Sequence, residues 1–124
     1  MVTTSYHIII ADDTEAIRLL LARIAARAYP SARVSGLADG QDALDLFLDQ
    51  GADLIITDNN MPRLNGLQLI HGVRAHNPHV PILMVSGYPL VELAARQAGA
   101  TMFLAKPFEV DRLIAVLHAL LPPN

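Results

Sequence analysis

Two periods alternate along the chain. Residues 6–11 form an almost unbroken apolar run of strand length. Behind it Ile17, Leu20, Leu21, Ile24, Ala25 and Ala28 recur at spacings of three and four, the apolar face of a helix entered through Asp13 or Thr14 as N-cap. The pattern then repeats. Residues 32–37 predict a second, weaker strand, followed by a helix carrying Ala43, Leu44, Phe47 and Leu48. Residues 53–57 predict the third strand and 66–76 the third helix; 81–85 and 90–98, then 101–105 and 110–121, predict the last two pairs. Pro122-Pro123 cannot continue the last helix, so the domain is expected to end there.

Strand-helix units whose strands are near-continuous apolar runs require cover on both faces of the sheet, which right-handed crossovers supply. The expected fold class is therefore α/β: a doubly wound, five-stranded parallel sheet in the order 2-1-3-4-5, with five helices on both faces. At 124 residues the chain has the size of one domain, so 1–124 is expected to be a single unit with a core from about 6 to 121.

Composition narrows the function classes. Hydrophobic residues are 52% of the chain and charged ones 17%, which argues against disorder. There is no cysteine, hence no disulfide framework and no thiolate chemistry. No apolar run approaches the ~18 residues of a membrane span, and Met1-Val2-Thr3-Thr4-Ser5 lacks the basic-then-apolar pattern of an export signal. The expectation is a cytoplasmic protein that does not contact membrane. A net charge of −3 gives no basic footprint, so direct nucleic-acid binding by this chain is not expected.

The chemistry collects at the strand ends. The stretch TDNNMPRLNG, residues 57–66, turns abruptly from an apolar run to a carboxylate at Asp58. Asp12 and Asp13 follow strand one, Ser86 follows strand four, and Lys106 follows strand five. In a parallel sheet these ends share one edge, and for the order 2-1-3-4-5 the strand order reverses between strands one and three, where such sheets bind ligands. Each aspartate taken singly could be a simple helix cap; together with a hydroxyl and a lysine they make a site. Clustered carboxylates repel one another unless neutralised, and oxygen donors of this kind suit Mg²⁺, which keeps open positions for phosphate oxygens. Lys106 is the single lysine beside eight arginines, and a compact ammonium on a flexible stem suits a phosphoryl group. One of the carboxylates can act as the nucleophile and form an acyl phosphate.

These residues resemble the receiver domain of response regulators, the phosphoacceptor half of two-component signalling (CheY-like, flavodoxin-like architecture). The resemblance rests on Asp12-Asp13, on Asp58 with Met61-Pro62 and Gly66, on Ser86-Gly87, on Gly99-Ala100, and on Lys106-Pro107-Phe108. It implies Asp58 as phosphoacceptor and Mg²⁺ bound by Asp12, Asp13, Asp58 and the backbone carbonyl of Asn60. Asp13 is the direct ligand, with a water-mediated contact open to Asp12. It further implies Lys106 as the phosphoryl-pairing cation, Ser86 as the switch hydroxyl, Phe103 as the switch aromatic, and a cis Lys106-Pro107 bond.

The implied function is to accept a phosphoryl group from a phosphohistidine of a sensor histidine kinase or a histidine phosphotransfer protein. The phosphorylated domain would then switch the face of helix four, strand five and helix five toward an output domain or protein. Arg96, Glu109 and Arg112 are candidate contacts there. Such a protein is not an enzyme beyond its own phosphorylation and dephosphorylation. The alternative is a small Mg²⁺-dependent phosphatase or nucleotide-processing domain using the same crevice, although neither a G-x-G-x-x-G turn nor a phosphate-binding loop is present. Two positions depart from the family pattern: Asn65 stands where an acid is common, and Asn59 where an apolar residue is common. None of the five histidines has metal spacing or a phosphodonor context, so the donor is expected to be another protein.

Overall fold

Strands that are apolar along most of their length need cover on both sides, and the computed structural model of the chain, which describes residues 5–123, supplies it. Its elements are β1 (His7–Ala11), α1 (Glu15–Ala28), β2 (Arg33–Leu37), α2 (Gly40–Gln50), β3 (Leu54–Thr57), α3 (Gly66–Arg74), β4 (Ile82–Ser86), a 3₁₀ turn (Pro89–Val91), α4 (Glu92–Ala98), β5 (Met102–Ala105) and α5 (Val110–Leu120). Every ladder is parallel and the order is β2-β1-β3-β4-β5, as the alternating pattern predicts. The absence of an export signal was read largely from residues 1–4, which lie outside the described residues. No described helix is long and apolar enough to cross a membrane.

Side-chain alternation sorts the core into two layers. Ile8, Ile10, Leu54, Ile56, Leu83, Val85 and Leu104 face α1 and α5, where they meet Leu21, Ile24, Ala25, Leu113, Val116 and Leu117. Ile9, Ala11, Ile55, Ile82 and Met84 face the opposite way, toward Ala43, Phe47, Leu69, Ile70, Val73 and Ala95. The weak signal of β2 has a plain cause: it is an edge strand with Arg33 and Gly36 exposed.

The helical faces need correction at two residues. Leu20 and Leu48 are 42% and 48% exposed. At about 100° per residue each lies roughly a quarter turn from the centre of its helix's buried stripe, so spacing alone overstated the width of the apolar face. The helix expected over 90–98 is split as well. Pro89 opens a 3₁₀ turn, and α4 proper begins only at Glu92.

Helix entries follow the capping rules. Asn65 and Gln68 form a reciprocal capping box on α3, and Asp39 caps α2 by accepting from the Asp42 N–H. Thr14 is the N-cap of α1, but its hydroxyl makes no cap bond. The Asp12 carboxylate accepts the Thr14 N–H instead, at 2.9 Å.

One tyrosine joins the two ends of the α1/α5 layer. Tyr29 is 1% exposed, packs edge-on against the rings of Tyr6 and His118, and places its hydroxyl 2.7 Å from the carbonyl oxygens of both Leu117 and Leu121. Burial, and secondarily Tyr6, push its pKa up to about 12 from 10.0. The fold thus favours the neutral phenol. That contribution is complete below the unfolded value and is lost as pH rises through the folded one. Tyr29→Phe should therefore cost on the order of 1 kcal/mol at neutral pH. The wild-type advantage in chemical denaturation should then shrink between pH 10 and about 12.

Candidate functional site

Sheet register builds the site. Ala11 pairs with Thr57, so the residues that follow, Asp12 and Asp58, emerge side by side; the Asp58 N–H donates to the Ala11 carbonyl at 3.0 Å. Thr57 also pairs with Met84, and Ser86 pairs with Ala105, which sets Ser86 and Lys106 on the same edge. The Lys106 N–H donates to the Ser86 carbonyl at 2.9 Å. Oxygens of Asp12, Asp13 and Asp58 come within 4.8 Å of one another. The sheet thus assembles acids that are 46 residues apart in sequence.

Lys106 reaches into that cluster. Its ammonium lies 3.2 Å from Asp12 Oδ2 and 3.6 Å from Asp58 Oδ2. Asp12 is wholly buried, Asp58 is 9% exposed, and Asp13 opens to solvent. One cation faces three acids. The Asp58 carboxyl is accordingly held above its usual range, chiefly by burial and additionally by Asp12. The Asn59 N–H, donating to Oδ1 at 2.7 Å, and Lys106 work in the opposite direction. A partly open crevice with oxygen donors only and excess negative charge fits a hard divalent cation.

The turn after β3 shows how Asp58 is held. The Thr57 hydroxyl donates to the Asp58 carbonyl at 2.7 Å. Gly66 packs so close that a Cβ would lie 2.3 Å from that same oxygen, so this position excludes any side chain. Asn59 finds its partner across the turn: its side-chain oxygen accepts the Leu67 N–H at 3.2 Å, while its carbonyl accepts from Gly66 at 2.9 Å. An apolar residue there could not tie the turn to the first turn of α3 in this way. Asn60 lies at the exposed rim.

Of the remaining predicted residues, Ser86 lies on the same edge and Phe103 lies within β5, paired with Met84. Ser86 is the last residue of β4 rather than the first beyond it; it is fully buried, and its hydroxyl oxygen accepts the Tyr88 N–H at 3.1 Å. Phe103 is half-buried on β5 and packs against the α2/α3/α4 layer. The Lys106-Pro107 bond is cis. Arg18 was missed by the sequence reading. Its guanidinium donates to the Asp12 carbonyl at 2.9 Å and steadies the acidic loop; its place one turn into α1 was the available signal.

Comparison with known proteins agrees with this arrangement. A family model described as the response regulator receiver domain matches residues 8–118. The response regulator MprA of Mycolicibacterium vanbaalenii is 34% identical over 117 residues, covering 93% of this chain and 50% of that protein. The chain therefore spans about half the length of the curated relatives it matches. Among solved structures, the chemotaxis response regulator CheY4 of Vibrio cholerae superposes with a TM-score of 0.86 at 30% identity, covering 95% of this chain and all of that one. NtrX from Brucella abortus does so with a TM-score of 0.84 at 31% identity, covering 95% of this chain and 27% of its own.

Because the fold raises the Asp58 carboxyl above its unfolded value, the charged form opposes folding at neutral pH. Asp58→Asn should raise the melting temperature in metal-free buffer at pH 7. The gain should fade as pH falls through the raised value of the folded acid and be gone at the ordinary carboxyl value of about 4, where the unfolded acid is protonated as well.

Proposed function

This chain belongs to the response regulator receiver domain family, and from that premise we propose that Asp58 accepts a phosphoryl group in the cytoplasm from a phosphohistidine of a sensor histidine kinase or a phosphotransfer protein. The observation that carries this reading is the shared ammonium: Lys106 sits between Asp12 and Asp58, where a phosphoryl group on Asp58 would meet it. An Asp58 carboxylate oxygen attacks phosphorus, the P–N bond breaks, and its electron pair stays on the donor imidazole. The Asn59 N–H and the Thr57 hydroxyl orient the attacking residue. Mg²⁺, held by Asp13, Asp58 and the Asn60 carbonyl with Asp12 directly or through water, would neutralise the transferred oxygens.

The response follows from what Ser86 and Lys106 would leave behind. Lys106 turns from the carboxylates to the phosphoryl oxygens. Ser86 releases the Tyr88 N–H to donate its own proton to the same group. Its departure frees the loop that leads into the 3₁₀ turn and α4, where Leu90 is 97% and Leu93 67% exposed. Phe103, behind β4 on β5, moves into the vacated space. The face of α4, β5 and α5, with Arg96, Glu109 and Arg112, is then biased between two states that an output domain or protein can distinguish.

The alternative of a Mg²⁺-dependent phosphatase or nucleotide-processing domain draws no support from the family match. Intact mass after incubation with acetyl phosphate separates the readings. The wild type should gain one phosphoryl adduct with Mg²⁺ and none with a chelator, and Asp58→Ala should gain none. An adduct that survives Asp58→Ala, or steady multiple turnover of a phosphate ester, would contradict the proposal.

A further inference from the structure

The turn that carries Asn60 is held only weakly by its own backbone. Between Asn60 and Leu64 the described backbone makes one hydrogen bond, from the Leu64 N–H to the Pro62 carbonyl at 2.7 Å. That bond closes a three-residue turn centred on Arg63. Arg63 has φ of 64°, in the left-handed region that is strained for every residue type except glycine. A glycine would make this turn freely, so what arginine contributes is its side chain.

That side chain crosses to the start of α2. The guanidinium donates from Nε to Asp39 Oδ2 at 3.1 Å and from Nη2 to Asp39 Oδ1 at 3.2 Å, a bidentate pair, and Nη2 also reaches Asp42. Asp39 is fixed in place as the N-cap of α2, where it accepts the Asp42 N–H at 2.7 Å, and Asp42 stands in the first turn of the same helix. The neighbouring residues touch as well: a Cβ on Gly40 would lie 2.1 Å from the Leu64 carbonyl oxygen. Arg63-Asp39 and Leu64-Gly40 therefore dock the turn onto α2 through consecutive residues. Nothing else among the described contacts connects the 60–63 segment to an element other than the β3–α3 unit by a polar bond.

We infer that Arg63 is a positioning residue for the metal site, pinning the β3–α3 turn to Asp39 and Asp42 so that the Asn60 carbonyl stays at the crevice. The inference rests on the Mg²⁺ site described under the proposed function. An exposed ion pair contributes little to global stability, but a group that orients a ligand acts on metal affinity, where such supporting groups typically matter by about 10–100-fold.

Calorimetric Mg²⁺ titration of the full chain, with melting temperatures in metal-free buffer, tests it. Arg63→Gly should bind Mg²⁺ roughly tenfold more weakly, while its melting temperature equals or exceeds that of the wild type because the turn is no longer strained. The pair Asp39→Asn and Asp42→Asn keeps a capping residue on α2 and should weaken binding to the same degree. Adding Arg63→Gly to that pair should cost nothing further, since all three groups act through one contact. Mg²⁺ affinity of Arg63→Gly within about twofold of the wild type, in a series where Asp13→Asn abolishes binding, would overturn the inference and leave the metal site standing. A parallel fall in melting temperature and affinity would overturn it too, by making Arg63 merely structural. A wild type that binds no Mg²⁺ would remove the metal site and this inference together.

Discussion

A single ammonium cannot neutralise three carboxylates, and much of this structure is arranged around that imbalance. Lys106 bridges Asp12 and Asp58 from across the crevice, while Asp13 stands open to solvent. Burial sharpens the mismatch, since a carboxylate removed from water is more costly to keep charged, and the raised Asp58 carboxyl is the visible result. The sheet sustains the arrangement through its register: the pairings of Ala11 with Thr57 and of Ser86 with Ala105 leave these groups no other place to go. A site so placed is stable as a scaffold and unsatisfied as an electrostatic cluster. Both properties are needed to take up a divalent cation and then a phosphoryl group.

The two layers of the core differ in how tightly they are closed. On the α1/α5 side Tyr29 fastens the end of α5 with its hydroxyl, and His118 bonds the Ala28 carbonyl at 3.0 Å. On the α4 side the chain leaves β4 through Ser86 and Tyr88, passes a proline-led 3₁₀ turn that exposes Leu90, and enters a helix of seven residues that exposes Leu93. Short elements with few buried apolar contacts open at low cost. A change at Ser86 would be felt first where the structure is least secured, while the sheet and the α1/α5 layer stay fixed. This asymmetry lets the proposed switch act without any large rearrangement of the core.

The element order and the sheet order were legible because β1, β3 and β4 are buried at every position and apolar but for one terminal residue each, His7, Thr57 and Ser86, and the helices between them keep a regular period. The acids were legible for a different reason: each stands directly after a strand, and a parallel sheet brings all strand ends to one edge. What the sequence hid was lateral. The exposure of Leu20 and Leu48 depends on how wide a stripe each helix buries, which spacing does not state. The bond from Leu67 to Asn59 and the reach of Arg18 to the Asp12 carbonyl join residues whose partners are set by loop geometry rather than by pattern. Asn59 looked like a departure from the family at the one place where its amide is needed. Arg63 gave no signal at all, because a left-handed φ at a non-glycine residue cannot be seen from residue type.

The central claim is that the uncompensated charge of Asp12, Asp13 and Asp58 is completed by a divalent cation on the solvent side of Lys106. Its most direct test is a crystal structure grown with Mn²⁺, whose anomalous scattering locates the ion independently of any functional assay. One strong peak is expected, bounded by the Asp13 and Asp58 carboxylates and the Asn60 carbonyl, with Lys106 still against Asp12. A crevice without a peak at saturating Mn²⁺, or an ion bound elsewhere, would contradict it.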